Sequence, residues 1–355
     1  MKIAITADLH LKDQQTTPER YRAFRQCLDW VKAQSLTHLV LAGDVFDSQF
    51  RNYRDFDDLC SDRRYSDLKI LILPGNHDAT LTHGSLTANN VTVIEKPELF
   101  RPDLMSLPML ILPYTDGKTM GEMIEPFASE LPAQSWVLFS HGDWISGIQK
   151  PNPLEPGVYM PLTRADVATY QPRQVILGHI HQSMDEGNVH YPGSLLPLDI
   201  NETGKRRILI LDSETGHVES QPVASEVINM NASITVLPVA DEAAMIVKQI
   251  DSLFKAYGLD ESQKSRLQIR LKVSGYSKDK RALADCIQSK LAGLKFYQNE
   301  GPDLSDVFLA NDSDREEIAR RVMTQIASLH WPKQNFEPNV HQIVIEALHV
   351  IYGGA

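Results

Sequence analysis

Five short segments of this 355-residue chain carry Asp, Asn and His at close spacing. They are Asp8-Leu9-His10, Gly43-Asp44 with Asp47 three residues on, Gly75-Asn76-His77-Asp78, His141-Gly142-Asp143, and Gly178-His179-Ile180-His181. Carboxylate oxygen, amide oxygen and imidazole nitrogen together form a donor set for Mn²⁺, Fe²⁺ or Zn²⁺. No cysteine takes part, which excludes a structural zinc site. One carboxylate can bridge two ions, and paired ions about 3.5–4 Å apart are a hydrolytic arrangement. Two divalent ions balanced by Asp8, Asp44 and a hydroxide leave a centre of about +1, which attracts a phosphate and stabilises charge on a pentavalent phosphorus. Singly, each segment is weak, because Asp-x-His and His-x-His pairs are common and GNHD reads as a turn. Jointly they hold five of the 12 histidines in the chain.

Each segment follows an apolar run. The runs Ile3–Thr6, His38–Ala42, Ile70–Leu73, Met109–Leu112, Trp136–Phe139, Val175–Leu177 and Ile208–Leu211 have the length of strands buried on both faces. Helical patterns alternate with them, which implies an α/β domain. Thr16 and Glu19 are spaced as a capping box for the first helix, with Pro18 in its first turn and Phe24, Leu28 and Val31 as its apolar stripe. In open α/β sheets ligands bind beyond the carboxyl ends of the strands. Parallel strands would therefore bring all five segments to one edge.

Beyond residue 230 the pattern changes. Ile234–Val239, Asp241–Tyr257, Leu267–Val273, Lys280–Leu291 and Lys295–Gln298 read as a compact βαβαβ module. Residues 303–355 read as two amphipathic helices. The first starts at a Ser313/Glu316 capping box, carries Ile318, Val322, Ile326 and Leu329, and stops at Trp331-Pro332. The second carries Val340, Ile343, Val344, Ala347, Leu348 and Ile351 and closes at Gly353. Such stripes either pack on the body of the protein or dock a partner helix. The expected domains are thus 1–230, 231–300 and 301–355.

The composition, 42% hydrophobic and 23% charged, is that of a globular protein. No apolar run approaches the roughly 18–20 residues of a membrane span, and the opening MKIAITADLHL is charged too early for a secretory signal. Cys27, Cys60 and Cys286 are odd in number and far apart, which fits a reducing cytoplasm rather than a disulfide scaffold. A net charge of −11 argues against nucleic acid as a partner. The charge is uneven, however. Residues 1–230 carry 20 Lys and Arg against 30 Asp and Glu, whereas 248–295 carry 11 basic and 5 acidic residues.

The set DLH, GDVFD, GNHD, SHGD and GHIH resembles the calcineurin-like metallophosphoesterases over roughly residues 1–215. His190-Tyr191-Pro192-Gly193-Ser194 resembles the YPGS segment of SbcD-type DNA-repair nucleases, and the βαβαβ module their DNA-capping domain. The resemblance implies an α/β/β/α sandwich with a small capping domain and C-terminal helices. It implies two divalent cations, Mn²⁺ first among them. Asp8, His10, Asp44 and His181 would hold the first, and Asp44, Asn76, His141 and His179 the second, with Asp44 as bridge. His77 would protonate the leaving oxygen or stabilise the transition state, while Asp47 and Asp78 would orient its surroundings. The implied reaction is in-line attack on a DNA phosphodiester by hydroxide activated at the ions. The implied partners are DNA, an SbcC-type SMC-like ATPase gripped by the terminal helices, and a second copy paired through the nuclease domain, with no membrane. The place of action would be a cytoplasm, bacterial or that of a phage host. The stretch SQFRNYRDFDD after GDV-Phe46-Asp47 differs from many cellular members. A phosphoesterase of small or cyclic nucleotides would share the metal core. A phosphoprotein phosphatase would be expected to read GDxVDRG and GNHE instead.

Overall fold

The computed structural model describes residues 1–48, 52–101, 103, 105–147, 157–310, 313–329 and 340–352. The chain divides into two compact units, Met1–Leu198 with Lys205–Glu226, and Asp199–Gly204 with Val227–Ala355.

The first unit is a mixed α/β structure with two parallel-rich sheets of six strands. The first sheet runs in the order Val218–Pro222, Arg207–Asp212, Lys2–Thr6, His38–Ala42, Lys69–Leu73, Val91–Val93. Its last four strands are parallel, and Arg207–Asp212 joins antiparallel to Lys2–Thr6. The second runs Met184–Glu186, Val189–Tyr191, Gln174–Gly178, Val137–His141, Met109–Leu112, Glu98–Phe100. Its four inner strands are parallel as well. Because side chains alternate along a strand, Ile3, Ile5, Val40, Leu71 and Leu73 face one way. They meet Met109, Ile111, Val137, Phe139 and Ile176 of the second sheet in one buried cluster. The opposite set in the second sheet, Leu110, Leu112, Leu138, Val175 and Leu177, packs with Met120 and Ile124 of the helix Met120–Ile124. All seven expected runs are strands. The strands of this unit not expected from the sequence are two to five residues long; they lie at or next to the edges of the two sheets, or form the separate pair Trp144–Ile145 and Leu162–Thr163.

The first helix, Pro18–Ala33, buries Phe24, Leu28 and Val31 as expected. Its expected cap does not form. The N-cap is Thr17, with no side-chain cap bond, and the Thr16 hydroxyl donates to Asp13 instead.

In the second unit Ile228–Val236 pairs parallel with Leu267–Ser277, which pairs parallel with Lys295–Phe296 and Asp303–Leu309. The helices Glu242–Tyr257 and Lys280–Lys290 cover this sheet through Ile246, Ile250, Leu283 and Ile287. The first strand starts six residues earlier than expected, because its alternation of Ile228, Met230, Ala232, Ile234 and Val236 begins there. Residues 303–309, within the region expected to hold only the two terminal helices, form a strand. The terminal helices are Ser313–Ser328 and Val340–Tyr352. Ile326, Val344 and Leu348 are buried and share a cluster with Leu237 and Tyr276, whereas Ile318, Leu329 and Val350 are at least half exposed. The Ser313 side chain, Trp331-Pro332 and Gly353 lie outside the described residues. Among the described residues no helix is long and apolar enough to cross a membrane.

Candidate metal centre

The strands Lys2–Thr6, His38–Ala42 and Lys69–Leu73 end side by side in one sheet, and Val137–His141 and Gln174–Gly178 do so in the other. The two sets of carboxyl ends touch. His141 Nδ1 lies 2.9 Å from Ala42 O, and Asp8 Oδ1 accepts a 2.9 Å bond from the His179 amide. Gly178 permits this approach, since a Cβ there would stand 1.8 Å from Ala42 O. Four residues of these loops have positive φ, namely Asp8 (56°), His10 (46°), Asp44 (51°) and His179 (100°). Such backbone costs about 1–3 kcal/mol per residue and gathers at functional sites.

The donors fall into two groups. Asp8, His10 and His181 each place one ligand atom within 4.8 Å of the others, and so do Asp44, His141 and His179. Asp44 stands between them, its Oδ2 3.3 Å from His141 Nε2 and 3.8 Å from His10 Nε2. Asn76 Oδ1 joins the second group, 2.9 Å from His141 Nε2 and 3.1 Å from His179 Nδ1. In the first group His10 Nε2 and His181 Nε2 are 3.0 Å apart. Asp8 Oδ2 and Asp44 Oδ2 are buried and accept no hydrogen bond from any described residue. A buried acceptor left so costs about 1–3 kcal/mol, and a cation removes that cost. The seven side chains named in the sequence as ligands therefore form one cluster able to bind metal.

The other named residues sit differently. His77 packs edge-on against His10, with ring centroids 4.7 Å apart, and its amide donates to Asp44 Oδ1 at 2.8 Å. His10, Asp44 and His77 also satisfy the geometry of a ligand trio. Asp78 is buried and holds backbone. Its Oδ2 accepts from the amides of Val45 and Phe46, and its Oδ1 from that of Gly75, which ties the GDVFD and GNHD loops together. Asp47 is partly exposed and lies 3.6 Å from Lys12 Nζ. Residues 49–51 of the following stretch lie outside the described residues.

The calcineurin-like phosphoesterase family matches residues 1–183, just over half of the chain and all five ligand segments. The chain belongs to this family. Among solved structures, the Yfce phosphoesterase of E. coli is 13% identical, covers 63% of this chain and all of its own, and has a TM-score of 0.31. A dimetal phosphatase from Danio rerio is 11% identical, covers 63% of this chain and 99% of its own, and has a TM-score of 0.37. Comparison with curated proteins gives no match.

Electrostatics of this phosphoesterase suit a cation. Burial alone would lower His141, but Asp44 and Asp8 raise it to about 10. Burial would raise Asp44, but the neighbouring histidines, His141 foremost, outweigh it and lower it. His10 falls to about 3 because burial outweighs Asp44. Asp8 and Asp78 are both raised, chiefly by burial and further by the charge on Asp44.

Several contacts around the centre were not evident from the sequence. Arg20 donates to the His10 carbonyl and Arg206 to that of His181. Tyr159 lies beside His179, with ring centroids 4.8 Å apart, and Tyr114 lies 6.2 Å from Tyr159. Asp143 accepts from the Tyr159 amide. Most of these bonds are to backbone, and spacing in a sequence carries no signal for such partners.

Proposed function

We propose that this phosphoesterase hydrolyses DNA phosphodiesters with two divalent cations, Mn²⁺ first among them, as the nuclease subunit of an SbcCD-type repair or recombination complex. The observation that carries the two-cation hydrolysis is Asp44, buried between two groups of candidate ligands, where one carboxylate would serve both ions. When bound, the ions supply an activated water and neutralise charge on the phosphate. The chain's own residues do the rest. Asp8, His10 and His181 would fix one ion, and Asn76, His141 and His179 the other, with Asp44 shared. His77 stands beside the first group, where it would protonate the leaving oxygen or stabilise the transition state. Asp78 holds the two loops that carry Asp44, Asn76 and His77. Asp47, beside Lys12, belongs to the rim of the site.

Substrate class is supported by three features. Tyr114 and Tyr159 line the His179 side of the centre with partly exposed aromatic rings, a surface on which a base can stack. The HYPGS segment and the βαβαβ module resemble, in sequence pattern, those of SbcD-type nucleases. The exposed Ile318, Leu329, Val340 and Val350 offer apolar contacts for an ATPase coiled coil. One observation favours a small or cyclic nucleotide instead. Arg270, Lys272 and Lys278 pair with Glu300, Asp306 and Glu316, acids outside the basic window, so the cationic excess of the second unit is smaller than its 248–295 composition suggests.

The purified protein with Mn²⁺ is expected to degrade linear duplex or cut single-stranded DNA. Turnover of 2′,3′-cyclic nucleotides with no cleavage of either DNA would replace this reading with the second.

A further inference from the structure

The segment Tyr191–Ser194 resembles a motif of SbcD-type nucleases, but none of its side chains joins the candidate ligand cluster. Its contacts lead to both halves of that cluster. The Tyr191 ring is fully buried. Its hydroxyl donates to Gly142 O at 2.7 Å and accepts from the Trp144 amide at 2.7 Å, on either side of the turn that follows His141. Pro192 O accepts from Ser183 Oγ at 2.9 Å. Gly193, with φ of 75°, lets the backbone lie against His181, since a Cβ there would stand 2.6 Å from His181 O. The same carbonyl accepts from the Ser194 amide at 3.1 Å and from Arg206 Nη1 at 2.8 Å. Arg206 is 1% exposed and also reaches Ser194 Oγ at 3.3 Å.

One four-residue stretch thus grips the backbone beside His141 in one ligand group and the carbonyl of His181 in the other. We infer that Tyr191, Gly193 and Ser194, with Arg206, form a positioning brace that sets the spacing of the two ion sites and thereby their joint occupancy. A tyrosine serving only as core filling would not need its hydroxyl bonded twice to one turn. A buried arginine serving only an ion pair would not need the carbonyl of a ligand residue. Partners that orient ligands from behind typically change metal affinity by roughly 10–100-fold. The inference rests on the two-ion reading and is independent of the substrate being DNA.

The test is calorimetric titration of Mn²⁺ alone into the full chain, with bound metal counted by elemental analysis. The wild type is expected to take up two ions; one ion or none would overturn the two-ion reading itself. Tyr191→Phe keeps the ring and removes the hydroxyl, and is expected to weaken uptake at the His141 group. Arg206→Lys keeps the charge and loses the guanidinium fork, and is expected to weaken uptake at the His181 group. Each should lower one site's affinity by roughly 10–100-fold, with far-ultraviolet circular dichroism unchanged. Phosphodiester turnover should recover at high Mn²⁺. Two ions bound with wild-type affinity in either folded variant would overturn the brace. Should one variant fail to fold, the other decides.

Discussion

Asp44 concentrates the chemistry of the site in one side chain. Asp44→Asn keeps a hydrogen-bond acceptor for the His77 amide but removes the shared anionic oxygen. It should reduce bound Mn²⁺ from two ions to one or none in elemental analysis, and an unchanged count would remove Asp44 from the bridge. His77→Ala separates the two roles that geometry permits for His77. As the acid or transition-state group, its loss leaves both ions bound and lowers turnover roughly 10²-fold or more; loss of an ion would make it a ligand. The charge on His141 gives a pH dependence. Raised to about 10 in the ion-free pocket, it carries a proton near neutral pH. A cation on its Nε2 must displace that proton, so uptake should release a proton and tighten as pH rises toward 10. Titration in buffers of different ionisation enthalpy measures this, and no release would contradict the assignment. The candidate ligands were legible as a group because ion chemistry restricts residue type and each lies just beyond a strand end. Asp78 was legible as a site residue, but the sequence alone does not say that its oxygens hold three amides. Arg206 and Tyr191 were not legible as site residues, because they act on backbone atoms.

At the scale of elements, the centre depends on the carboxyl ends of two sheets touching. Gly178 stands at the contact, and Gly178→Ala would drive a methyl into Ala42 O. Overpacking of this kind costs about 1–3 kcal/mol. The variant should melt at a lower temperature and lose metal as His141 and His179 shift, whereas wild-type melting and metal content would show that the contact is not critical. The central strands were readable because burial on both faces demands continuous apolar runs. The edge strands Val91–Val93 and Met184–Glu186 are three residues long, too short for any period to show. The Thr16 cap failed because the helix starts one residue later, with Thr17 as N-cap, and Asp13 Oδ1 takes the Thr16 amide that Glu19 would have accepted from. The strand Asp303–Leu309 carries acids at 303 and 306 and apolar residues at 304, 307 and 308, a spacing that also fits a helix.

For the whole molecule, the candidate metal centre and the tyrosines beside it lie in the first unit, and the exposed terminal-helix residues proposed to meet a partner lie in the second. Charge counted over 248–295 alone overstated the basic character of that unit, since Arg270, Lys272 and Lys278 pair with Glu300, Asp306 and Glu316 beyond that window. The terminal helices illustrate the same limit. Their stripes were readable, but only the fold shows that Val344 and Leu348 turn inward while Val350 faces out. Replacing the exposed Ile318 and Val350 by Asp should leave cleavage of a model phosphodiester intact and abolish capture of an SbcC-type coiled coil. Retained capture would place the partner surface elsewhere. The most direct measurement of the whole account is anomalous scattering at the manganese edge from crystals grown with Mn²⁺. It should give two peaks about 3.5–4 Å apart, with the Asp44 carboxylate between them, Asp8, His10 and His181 around one and Asn76, His141 and His179 around the other. A single peak, or two that do not share Asp44, would contradict it.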